Sequence, residues 1–258
     1  MSLERIEITK QIPFFGDGDS LETRLRNVSL RGFPEVRIYE DAQIELVHLT
    51  PQDIPKKLHT PQLRVYRDHL NRIVQIRNLF LREGIDIFDL NAAYDFVATD
   101  KTKEGTEWTM IPPVVERFQI PRTKENRLDY NPLIGPELQK KLSERKLGLN
   151  PEVLQLEHTG NENNYFDLIN DGSHRIHAGF ENEGIKIIRL SCMAPGFPYY
   201  AAPQKYQTTV FQTRDERLKE PETKIHVVDT PGHKDLYRVF PSGGIMTGNV
   251  RPDKKLTD

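Results

Sequence analysis

The stretch from Tyr165 to Leu190 constrains the fold more tightly than any other part of the chain. Tyr165-Phe166-Asp167-Leu168-Ile169 has the content of a strand, and Asp171-Gly172 is a turn pair. Residues from about His174 to Glu183 read as a helix stopped at Gly184, and Ile185-Lys186-Ile187-Ile188-Arg189-Leu190 reads as a further strand. The order is strand, tight turn, helix, strand. A helix that begins directly after a strand leaves backbone N–H groups without intrahelical partners and aims them at one spot, where an anion fits. Gly172 allows close approach to the backbone, Ser173 adds a hydroxyl donor, and Arg175 offers a planar, permanently charged fork to phosphate oxygens. The same residues also suit a plain turn in which Ser173 caps the helix and His174 and Arg175 are ordinary first-turn residues.

The rest of the 258-residue chain allows one main core plus extensions. Lys and Arg total 36 against 38 Asp and Glu, a net charge of −2, so no global positive field holds nucleic acid non-specifically. The single cysteine, Cys192, excludes an intrachain disulfide and a multi-cysteine zinc site, and a cytoplasmic location is expected. Met1 to Lys10 alternates charged and apolar residues and reads as neither signal peptide nor anchor. No window approaches the ~20 apolar residues that span a bilayer.

Three stretches are expected: an N-terminal α/β extension over 1–107, a core over 108–192, and a C-terminal elaboration with a polar tail over 193–258. In the first, Val36-Arg37-Ile38-Tyr39 and Ile44-Glu45-Leu46-Val47 read as strands, and a helix is predicted from Pro61 to Gly84 with Thr60 as N-cap. Leu63, Tyr66, Leu70, Ile73 and Phe80 form its apolar stripe. Arg64, Arg67, Arg72, Arg77 and Arg82 make it locally basic, which suits either a solvated face or a nucleic-acid contact. In the second, Val114-Val115-Glu116-Arg117-Phe118 and Val153 to Glu157 read as strands, with a short helix between Gly135-Pro136 and Gly148. In the third, Ile225-His226-Val227-Val228 is strand-like, while Tyr199 and Tyr200, between Pro198 and Pro203, suit either a proline-stiffened loop or residues that stack on a base or wall a substrate pocket. Asp229-Thr230-Pro231-Gly232-His233 imitates a GTPase switch, but no G-x-x-x-x-G-K-[ST] loop accompanies it. His174 and His177 resemble a metal-binding pair only weakly, because no acid stands at the usual helical spacing.

Asp167-Leu168-Ile169-Asn170-Asp171-Gly172-Ser173-His174-Arg175-Ile176-His177-Ala178, followed by Gly184-Ile185-Lys186-Ile187, resembles the signature of the ParB/sulfiredoxin superfamily across about residues 110 to 192. The resemblance implies an α+β fold, a small mixed sheet with helices, and nucleotide phosphates on the turn. Sulfiredoxins carry a catalytic cysteine where this chain has Ser173, and partition proteins usually pair two arginines in the turn and add a helical DNA-binding domain. Free serine kinases are most similar, with an Asp-Gly-x-His-Arg turn and an acid on the loop after the first strand. The corresponding loop, Arg122 to Asp129, supplies Glu125 and Asp129 as candidate bases or metal ligands.

The expected function is an ATP- or ADP-dependent, Mg2+-assisted kinase acting on a small hydroxyl-bearing molecule. Glu125 or Asp129 would be the base, Asp171 the metal or acceptor contact, and Gly172, Ser173, His174 and Arg175 the phosphate cradle. Two alternatives stand beside it: a nucleic-acid-associated ParB-like module, nuclease-like or nucleotide-gated, and a nucleotide-binding protein without turnover. No membrane partner is expected, and the sequence leaves the acceptor and oligomeric state open.

Overall fold

In the computed structural model of the chain, the described residues are 3–60, 64–100, 103–119, 165–192, 204–205, 209–211 and 237–241. The predicted 135–148 helix and the strands near 153–157 and 225–228 lie outside them, as do Tyr199 and Tyr200.

The central layer is a six-stranded mixed sheet. Its strands, in spatial order, are β12 (Gln204–Lys205), β5 (Leu58–Thr60), β10 (Tyr165–Asp171), β9 (Val114–Gln119), β11 (Ile185–Cys192) and β4 (Gln43–Leu49). β9 lies antiparallel to β10 and parallel to β11, which places the two strands of the Gly172 unit on either side of it. Strands from both sides of residue 107 therefore share one sheet, since β4 pairs with β11 and β5 with β10.

Period-two alternation splits the sheet between two cores, because successive side chains point to opposite faces. Val114, Leu168, Ile188, Leu190 and Ile44 join one cluster. It also holds α1 (Leu21–Arg26) through Leu21 and Leu25, β2 (Ser29–Leu30) through Leu30, and β3 (Phe33–Arg37) through Phe33. Val115, Ile169, Ile185, Ile187, Leu49 and Leu58 face the other way, toward α3 (Arg67–Arg82) and α4 (Ser173–Phe180). A sheet covered on both faces explains the adjacent apolar pairs Val114-Val115 and Ile187-Ile188, one member of each in either core. Several charges in the sheet pair across strands. Asp167 of β10 meets Arg117 of β9 at 2.7 and 2.9 Å, and Arg189 of β11 bridges Asp167 at 3.3 Å and Glu45 of β4 at 3.4 Å.

A second, antiparallel sheet joins β1 (Leu3–Pro13), β7 (Ala92–Asp100) and β8 (Lys103–Met110). The short α2 (Ile54–Lys57) leads into β5. β6 (Arg64–Tyr66) pairs in parallel with β13 (Thr209–Phe211).

The long helix differs from expectation at its start. Thr60 ends β5, and Arg64–Tyr66 is strand, so α3 begins at Arg67 with Tyr66 as N-cap. Pairing of Arg64–Tyr66 with β13 overrides the local Thr-Pro helix signal. The C-terminal end agrees with the sequence. Gly84 has φ 76° just past the C-cap Glu83, and the Ile85 N–H donates to the Phe80 carbonyl at 3.0 Å, the closing bond of a Schellman motif. Leu70, Ile73, Ile76, Leu79 and Phe80 bury the inner face, each contributing roughly 1.5–3 kcal/mol when fully buried. The arginines on α3 are partly engaged within the fold. Arg77 holds Asp86 at 2.6 and 2.9 Å and lies 4.4 Å over the Phe88 ring, and Arg67 reaches Glu181 at 3.5 Å.

Candidate nucleotide-phosphate site

The site begins as a defect in β10. Ile169 faces Val115 and Asp171 faces Val114, so the register slips at Asn170. A bulge of this kind bends the strand and re-aims the residues after it. Gly172 follows with φ 84° and is the N-cap of α4, a conformation in which glycine has no steric penalty. An added Cβ there would lie 2.8 Å from the Pro113 side chain and 3.0 Å from Arg175 Nη2. Space and backbone angle together exclude larger residues.

Ser173 is the first helical residue and not the cap, which removes the plain-turn reading in which its hydroxyl closes the helix. Among the described residues no side chain caps α4, and its first turn holds no acidic residue. The amide end of the helix thus keeps its partial positive charge uncompensated by a side-chain cap.

Arg175 points back into the fold. Its side chain is 13% exposed; Nη2 donates to Asp171 Oδ2 at 2.8 Å, and Nη1 donates to the Ile111 carbonyl and approaches Met110 Sδ at 3.4 Å. Burial acts to lower its pKa, opposed by the Asp171 carboxylate. The guanidinium stitches the turn to the β8–β9 connection and faces the interior of the fold. Asp171 accepts one of its hydrogen bonds, and Gly172 and Ser173 remain at the amide end.

His174 turns toward α3. Its ring stacks on Tyr66 with centroids 5.8 Å apart and lies 4.8 Å from the His69 ring, and its Nε2 is buried without a hydrogen-bond partner among the described residues. Burial first, then the neighbouring His69 and His177, push its pKa down to about 4 against the opposing pull of Asp68. The imidazole is therefore neutral near pH 7. Among the described residues, no group of three or more His, Cys, Asp or Glu side chains is disposed to hold a metal ion. Glu125 and Asp129 lie outside the described residues.

A buried polar network that the sequence reading missed adjoins the turn. Glu116 Oε1 accepts from Tyr39 Oη, from Asn170 Nδ2 at 2.5 Å and from Arg238 Nε at 2.7 Å, and Arg238 Nη2 reaches Glu116 Oε2 at 3.2 Å. The side chains of Glu116 and Arg238 are both 0% exposed. Burial acts to lower the Arg238 pKa, but the negative charge of Glu116 outweighs it and the net shift is upward. A charged residue inside the apolar run of β9 was a visible signal. Nothing local in the sequence marked Arg238 as its partner.

Among the described residues no helix is long and apolar enough to cross a membrane. Searches of curated proteins and of solved structures find no match. A family match runs from residue 20 to 126 and ends before the Gly172 turn, but its strands β4, β5 and β9 lie in the same sheet as β10 and β11. The family matched is the ParB CE domain, and residues 20–126 are similar to it.

Proposed function

We propose that this ParB-like protein binds a nucleoside polyphosphate, with its phosphates on the amide end of α4. The observation that carries the reading is that this helix follows a bulged strand through an αL glycine, with no first-turn acid and, among the described residues, no side-chain cap. Such an end favours negative charge through its N–H groups and its dipole. Ser173 adds a neutral donor at the first helical position. Mg2+ would be held mainly by phosphate oxygens and water, with Asp171 as the carboxylate beside the seat. Phosphoryl transfer to a small hydroxyl compound is the further step that the serine-kinase resemblance suggests, with Glu125 or Asp129 as base. The binding reading does not depend on it.

Calorimetric titration with ATP, ADP and pyrophosphate, each with and without Mg2+, tests this. Binding should be shared by all three, and Ser173→Ala should weaken it by about 1 kcal/mol, since one neutral hydrogen bond is lost while the amides remain. Absence of binding to every phosphate ligand would refute the reading. Salt-dependent DNA binding in place of nucleotide binding would favour the nucleic-acid module instead.

A further inference from the structure

We propose that Arg238, more than sixty residues beyond the turn, is a positioning residue for it, acting through Glu116 on the bulge at Asn170. Asn170 is where β10 loses register with β9, and its amide Nδ2 donates to Glu116 at 2.5 Å and to Tyr39 Oη at 3.3 Å. The bulge is thus pinned by one carboxylate. That carboxylate is fully buried, where an uncompensated charge is costly, and Arg238 compensates it with two donors.

Arg238 is itself held in place as part of a short extended segment. The Arg31 N–H donates to the Tyr237 carbonyl at 2.7 Å, the Val239 N–H donates to the Ser29 carbonyl at 3.0 Å, and Leu30 and Arg238 form an antiparallel bridge. Tyr237 and Phe240 pack on the same core, Phe240 stacked on Tyr39 at 6.1 Å. The segment therefore delivers a cation to the far side of the sheet, and the charge it neutralises fixes the residue preceding Asp171-Gly172. A buried ion pair adds little net stability compared with apolar residues of similar size, so its use here is to set a conformation. The site for phosphates is complete only when the C-terminal segment is docked, and this consequence rests on the nucleotide reading above.

The test is hydrogen exchange and pyrophosphate binding in the full chain carrying Glu116→Met together with Arg238→Met, which removes both charges at similar volume. The expected result is a folded protein in which the Asp171 to Arg175 amides exchange at least tenfold faster, those of β11 are unchanged, and pyrophosphate affinity falls about tenfold. Arg238→Lys retains a charge without the fork, so it should give a smaller increase confined to the same amides. Unchanged exchange at the turn in either variant would overturn the proposal, as would a uniform rise across β9, β11 and the turn. If the parent protein binds no pyrophosphate, the nucleotide reading fails while the exchange pattern still decides the positioning role.

Discussion

Gly172 and Arg175 differ in how far their sequence signals reached. The Asp-Gly pair identifies a turn because φ 84° suits glycine, and that requirement is local. The direction of Arg175 depends on the Ile111 carbonyl and Met110, more than sixty residues earlier, and no local pattern encodes it. A lysine at 175 has a single ammonium and cannot hold Asp171 and the Ile111 carbonyl as a fork does. Arg175→Lys should therefore lower the stability of the ligand-free protein by about 1–3 kcal/mol, the cost of leaving a buried acceptor unpaired. Denaturant unfolding without nucleotide measures this. Unchanged ligand-free stability combined with weakened nucleotide binding would mean that Arg175 serves the phosphates directly.

At the scale of elements, α4 and strands β9, β10 and β11 were legible because each carries its own period and its own stop signal. β7 and β8 were not, since alanines in one and polar residues in the other hide the alternation that pairing with β1 supplies. The start of α3 was misplaced for the same reason, a strand pairing with residues 209–211 that no nearby residue announces. The contact between α3 and α4 has its own pH signature. His174 has a folded-state pKa near 4, below its ordinary 6.5, so the unfolded chain takes up a proton first as pH falls. The stability present above about pH 6.5 should decline as pH drops toward 4, to which His177, also shifted downward by burial, adds in the same direction. In melting curves between pH 7.5 and 4.5, His174→Gln should flatten this decline. An equally steep decline in the variant would place the titrating group elsewhere.

For the whole molecule, the ParB CE match and the Gly172 turn occupy different parts of the sequence and one sheet in space. The α+β class and mixed sheet were implied by the resemblance that the Gly172 unit carries, whereas the union of residues 43–60 with 165–192 is a long-range pairing visible only in the fold. The site is likewise assembled at a distance: β10 supplies the turn, residues 111–113 brace it, and residue 238 neutralises the charge that pins its bulge. The most direct test of phosphate binding at this point is a backbone amide NMR titration with pyrophosphate and ATP. The amides of Gly172, Ser173, His174 and Arg175 should shift progressively with both ligands and saturate together, and those of β1 should remain in place. Saturable binding that leaves these four amides unmoved would contradict a phosphate seat at the start of α4.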